Sequence, residues 1–266
     1  MSPFTAFSSV LFILITYLIS WLSWGVLVLF GIPAKANALS TMFYLLGGLA
    51  PTIVAFVLPL FFGRAERGAR YKMYFKFKIP ARYYLLPIMT AVLMALVSYG
   101  AMFVIDPKAA MNLHIQPLHM IVPLFLSMVI GGGLEEFGWR GLLVYQLRKA
   151  NPVFISLGVG LVWAAWHIPL FFLNGVGQYH ANFLPFLVTI IAYSLVLTPL
   201  SLKSGSVIPC ILFHALANAF GELGFQYGGE LSFASMVDSL VKLGIGAAAF
   251  MVLNSKKFDV AQPKRS

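Results

Sequence analysis

The sequence predicts an all-α, polytopic membrane protein with about eight transmembrane helices, and three observations carry that reading. Of 266 residues, 60% are hydrophobic and 10% charged, and the mean hydropathy is +0.89; a soluble domain carries about 25% charged residues. Eight apolar stretches, each close to the ~20 residues that cross a hydrocarbon core of about 30 Å, alternate with polar breaks. Strict apolar/polar alternation over strand-length segments is absent, which argues against a transmembrane β-barrel. A soluble enzyme is thereby excluded. A single cysteine, Cys210, also excludes an internal disulfide framework.

Taken in order, the expected spans are Phe7–Phe30, Ser40–Phe62, Tyr83–Ile105, His119–Leu143, Pro152–Leu173, Phe183–Leu202, Ser206–Tyr227 and Ser235–Leu253. The first is longer than the 7–15-residue core of a secretory signal and has no basic residue before it, so it is expected to be retained. No repeat, low-complexity segment or soluble domain interrupts the pattern. The chain is expected to form one membrane domain over residues 1–266.

The net charge of +10 is distributed unevenly. The first and third connections hold Lys35 and Lys108 alone, and the fifth and seventh hold no Lys or Arg. The second holds Arg64, Arg67, Arg70, Lys72, Lys76, Lys78 and Arg82; the fourth Arg148 and Lys149; the sixth Lys203; and the C-terminal segment Lys256, Lys257, Lys264 and Arg265. Basic connections stay in the cytoplasm, so both termini are expected there. The run Tyr71–Lys78 interleaves aromatic and basic residues. It reads as an anchor in the lipid headgroups rather than a nucleic-acid surface.

An ionisable side chain at a helix centre costs about 2.5–3.5 kcal/mol on insertion scales, which makes each one a candidate for function. The fourth span reads GGGLEEFGWRGLL from Gly131. On a regular helix Glu136 and Arg140 share a face and can neutralise each other, while Glu135 points about 100° away. Gly131–Gly133 are expected first to allow close helix packing, and secondarily a kink. The fifth span places His167 four residues after Trp163. In the seventh, His214, Asn218 and Glu222 fall on one stripe. Measured from the basic side at 1.5 Å per residue, Glu135, His167 and Asn218 reach roughly 20 Å and His214 about 14 Å. That depth permits one site built by three helices.

Peptide hydrolysis needs an activated water, a proton carrier and donors for the oxyanion. Glu135 and His167 fit activation, and His214 and Asn218 fit stabilisation. The set Glu135-Glu136-x-x-x-Arg140, aromatic-x-x-x-His ending at His167, and His214-x-x-x-Asn218 resembles the CPBP family, the CAAX-prenyl-protease and bacteriocin-processing intramembrane endopeptidases, over roughly residues 119–225. The resemblance implies an eight-span glutamic intramembrane protease; from the residues themselves no cofactor or metal is expected. Glu135 and His167 are then expected to activate water, His214 and Asn218 to form the oxyanion hole, and Glu136 and Arg140 to support them. The implied partners are a peptide or lipidated protein substrate and membrane lipids. The family usually has Phe where this chain has Trp163, which is therefore expected to line and narrow the substrate cavity.

Four rivals stay open at this stage. Histidines and carboxylates are acceptable zinc ligands, although HExxH spacing is missing. Cys210 lies four residues before His214 and is a possible nucleophile, but a buried free cysteine is usually inert. Glu135, His167 and Glu222 can be drawn as the relay of a proton-coupled transporter. A non-catalytic immunity or scaffold protein is the fourth. Asp238 and Lys242, four apart in the last span, are expected to pair with each other. Pro169 and Pro209 are expected to bend helices or cap turns. The closing Lys-Arg-Ser is not expected to carry a CAAX signal.

Overall fold

The computed structural model describes residues 3–107, 111, 115–224, 232–255 and 258, with side chains from residue 7 onward. Among them, seven helical stretches are long and apolar enough to cross a membrane, and an eighth apolar helix, Ile208–Leu223, is shorter. The regular helices are α1 (Pro3–Leu29), α2 (Ala38–Val57), α3 (Arg64–Tyr74), α4 (Arg82–Ile105) and α5 (Ile121–Ile130). They continue as α6 (Pro152–Trp166), α7 (Phe183–Ser204), α8 (Ile208–Leu223) and α9 (Phe233–Asn254). The all-α, multi-pass architecture follows the hydropathy, with ends set by recognisable caps. Asn37 and Ser232 form capping boxes at α2 and α9, and Asn151 and Asn182 cap α6 and α7. Gly205, at φ +59°, ends α7 in the left-handed conformation that glycine adopts without steric cost. The expected seventh span overlaps α8, and its last three residues lie outside the described residues.

The fourth span departs most from expectation. A single helix over His119–Leu143 was the simplest reading, but α5 stops at Ile130. A 3₁₀ turn then covers Gly133–Glu135 and a π-helix Phe137–Val144. The kink, read as the secondary role of Gly131–Gly133, is present together with close packing. A Cβ on Gly132 would stand 2.6 Å from Asn218 Nδ2 and 2.9 Å from His214 Nε2, and one on Gly138 would stand 2.6 Å from the Pro51 carbonyl. A larger residue at Gly138 meets the α2 backbone, and one at Gly132 displaces the side chains of Asn218 and His214. The break also frees the Leu134 carbonyl, which accepts a hydrogen bond from Thr52 Oγ1 at 2.7 Å. Backbone polar groups in lipid must be satisfied within the protein, so α2 supplies what the fourth span gives up.

The basic second connection is more built than an exposed loop. Arg70 is fully buried: its Nη1 donates to the Leu142 carbonyl at 3.2 Å and its Nη2 to Glu66 at 3.0 Å, with the Tyr145 ring 4.4 Å away. Burial pushes the Arg70 guanidinium below its ordinary value, and Glu66 offsets part of that shift. Tyr71 and Tyr74 pack with Phe56, and Tyr74 also meets Phe137 edge-on. The headgroup-anchor expectation is therefore left to the exposed members of the run, Lys72, Phe75, Phe77 and Lys78, as a proposal. Tyr74 is a core residue.

Candidate active site

Glu135 ends the 3₁₀ turn and is 7% exposed. Its Oε2 accepts a hydrogen bond from the indole Nε1–H of Trp163 at 2.9 Å. The next residue, Glu136, is fully buried and turns elsewhere: its Oε1 lies 2.8 Å from His214 Nδ1, and Arg140 Nη1 stands 3.1 Å from both of its oxygens. The divergence of adjacent glutamates expected from helical geometry is thus present, although the local helix is of the π type. One carboxylate is committed to a charged pair. The other keeps an oxygen for the cavity.

His167 sits at the end of α6. Pro169 has no N–H to continue the helix, so α6 stops at Trp166 and a short 3₁₀ segment, Ile168–Phe172, follows. Pro169 therefore acts as a stop, and Pro209 sits in the first turn of α8, where its missing N–H costs nothing. His167 Nδ1 lies 2.8 Å from the Trp163 carbonyl. A carbonyl only accepts, so Nδ1 carries the hydrogen and Nε2 carries the lone pair. The ring is held edge-on between Trp166 and Phe186, with centroids 4.6 and 5.1 Å away.

His214 and Asn218 project from α8 one turn apart. With Nδ1 turned to Glu136, His214 has Nε2 left to act, and this atom and Asn218 Nδ2 both face the Gly132 backbone. Trp163 touches Glu135, His167, His214 and Arg140. Its indole N–H holds Glu135, its carbonyl holds His167, its ring meets His214 edge-on at 5.1 Å, and its face takes the Arg140 guanidinium at 4.4 Å. It lines the cavity as expected. The indole hydrogen bond to Glu135 is a contact that sequence reasoning missed; an indole in place of the family's phenyl ring was the available signal.

Glu135, His167, His214 and Asn218 all line one cavity of about 110 Å³. This exceeds the roughly 10–15 Å³ of such space that one water needs, so there is room for water beside a reacting group. Arg140 and Glu136 stand behind the wall. Cys210 is fully buried with its thiol directed at the Leu197 carbonyl of α7, and it does not line the cavity. Neither does Glu222, whose carbonyl accepts from Gln116 Nε2. Among the described residues, no three His, Cys, Asp or Glu side chains cluster as a metal site requires.

The fold and cavity define a multi-pass helical membrane protein with acid, imidazole and carboxamide groups gathered in one buried chamber. Residues 117–220 match the family described as Type II CAAX prenyl endopeptidase Rce1-like. A protein named CAAX prenyl protease 2 from Methanococcus maripaludis is 33% identical over 110 residues, which cover 38% of this chain and 41% of that relative. The match thus spans less than half of the relative's length. Both findings support the CPBP resemblance, and the matched segment contains every residue of the constellation.

Proposed function

We propose that this protein is an intramembrane endopeptidase in which Glu135 and His167 activate a water molecule and His214 and Asn218 hold the oxyanion. The observation that supports this most is the convergence of the four side chains, from three separate spans, on one cavity. Water bound between the free oxygen of Glu135 and Nε2 of His167 is deprotonated as it attacks the peptide carbonyl. The proton then passes to the leaving amine, as general acid–base catalysis requires. Negative charge develops on the carbonyl oxygen, where the Asn218 amide N–H donates, and where His214 donates from Nε2 as an imidazolium whose Nδ1–H is held by the Glu136 carboxylate. Glu136 holds His214 in register, and Arg140 neutralises Glu136 while stacking on Trp163. Each step uses groups this chain supplies, and none calls for a cofactor.

The family description and the name of the relative point to a lipidated C-terminal tail as the substrate, and the bacteriocin-processing branch of the resemblance points to a leader-type peptide. Wild type and Glu135→Ala, purified in detergent, are incubated with a farnesylated C-terminal peptide and with a leader-type peptide, and the products are weighed by mass spectrometry. Cleavage of either peptide by wild type alone is expected. Equal cleavage by both proteins contradicts the assignment.

A further inference from the structure

The cavity lies off-centre. Trp24 is five residues from the end of α1, Tyr44 six residues into α2, Trp166 the last residue of α6, Phe186 in the first turn of α7, and Asn218 five residues from the end of α8. Gln178 comes from the connection between Phe172 and Phe183 and also lines it. These helix ends all belong to one face of the molecule, the one at which α1, α6 and α8 finish and α2 and α7 begin. At 1.5 Å per residue, Trp163 stands only about 5 Å from that end of α6 and about 17 Å from the other.

The opposite face carries the charge. Its connections and adjoining helix ends hold Arg64, Arg67, Lys72, Lys76, Lys78, Arg82, Arg148, Lys149 and Lys203, whereas the cavity-side connections hold Lys35 and Lys108 alone. Arg70, being buried against Leu142 and Tyr145, is not needed for the contrast. An excess of Lys and Arg in short connections marks the cytoplasmic side. The cavity therefore belongs to the other half of the bilayer.

We infer that the cavity is entered from the non-cytoplasmic side and receives a peptide segment held in, or exported to, the outer half of the membrane. The polar groups of Tyr44 and Gln178 and the apolar walls of Leu45, Ile130 and Phe186 suit an extended peptide with apolar side chains. The word substrate here rests on the hydrolase reading; the sidedness does not. A tail lipidated in the cytoplasm is presented from the basic face, so the inference favours an exported peptide.

Two arms test it, in a Cys210→Ser background that leaves no other cysteine. Gln178→Cys and the exposed Lys149→Cys are treated in spheroplasts with a membrane-impermeant maleimide, and elution as a folded monodisperse protein is checked for both. Gln178→Cys is expected to label in intact spheroplasts as fully as after permeabilisation, and Lys149→Cys to lose its label unless permeabilised. The reverse pattern overturns the inference. In the second arm, an impermeant reporter peptide carrying the sequence cleaved in detergent is added to right-side-out and to inverted vesicles. Cleavage in right-side-out vesicles alone is expected, and cleavage in inverted vesicles alone overturns the sidedness while sparing the hydrolase. No cleavage in either orientation, with cleavage restored when the same vesicles are dissolved in detergent, overturns entry of a peptide from the aqueous outer side and leaves the hydrolase reading standing.

Discussion

Glu136–Arg140 in the broken fourth span and Asp238–Lys242 in α9 are both buried acid–base pairs spaced four residues apart. In sequence they look alike, and each was expected to neutralise itself. In the folded molecule Glu136 also takes the Nδ1–H of His214, and Arg140 lies on the ring that holds Glu135, so the first pair is wired to the cavity. The second closes on itself: Lys242 Nζ meets Asp238 Oδ2 at 2.7 Å, and the other Asp238 oxygen has no hydrogen-bond partner. Spacing alone reports that charges are compensated. What they orient depends on His214 and Trp163, which stand on other spans.

The largest effect that tests this contrast is on activity. Glu135→Gln keeps an acceptor for the Trp163 indole but removes the proposed base, and is expected to lower kcat on the order of 10³-fold with an unchanged melting temperature. Asn218→Ala, assayed the same way, is expected to lose about 10²–10³-fold. Next come the pairs themselves. Glu136→Gln and Asp238→Asn each leave a buried cation uncompensated and are expected to cost about 3–5 kcal/mol of stability by thermal or denaturant unfolding. Adding Lys242→Met to Asp238→Asn is expected to recover most of that loss with kcat near wild type throughout. Adding Arg140→Met to Glu136→Gln recovers stability but not kcat. If the two pairs behave alike in kcat, the contrast is broken.

Trp163→Phe sharpens it further. The ring is retained and only the N–H to Glu135 is lost, so a fall of about tenfold in kcat with KM unchanged is expected. A change confined to KM reduces Trp163 to a cavity wall. The smallest effect is expected for Cys210→Ser, whose kinetic constants should match wild type because the thiol faces the Leu197 carbonyl.

Hydropathy made the spans legible because the bilayer imposes length and apolarity on each of them. It did not reveal that residues 137–144 wind as a π-helix, since sequence patterns are read against 3.6 residues per turn and every residue of the segment is buried. Arg70 was placed among topogenic charges on composition. Its burial depends on Tyr145 and Leu142, more than seventy residues away. The polar quartet was legible because polar groups are rare in lipid and their spacing is helical. The hydrogen bond from Trp163 to Glu135 was not, because it crosses between spans.

The central claim is that four side chains from three spans act as one unit, and groups that act as one unit lose activity non-additively. The most direct measurement is therefore the kcat of Glu135→Gln, His167→Ala, His214→Ala and Asn218→Ala beside that of the quadruple variant, each shown to be folded. The account predicts that the quadruple is about as slow as the slowest single variant. Losses that multiply across the four sites, or a Glu135→Gln protein that turns over at the wild-type rate, would contradict it.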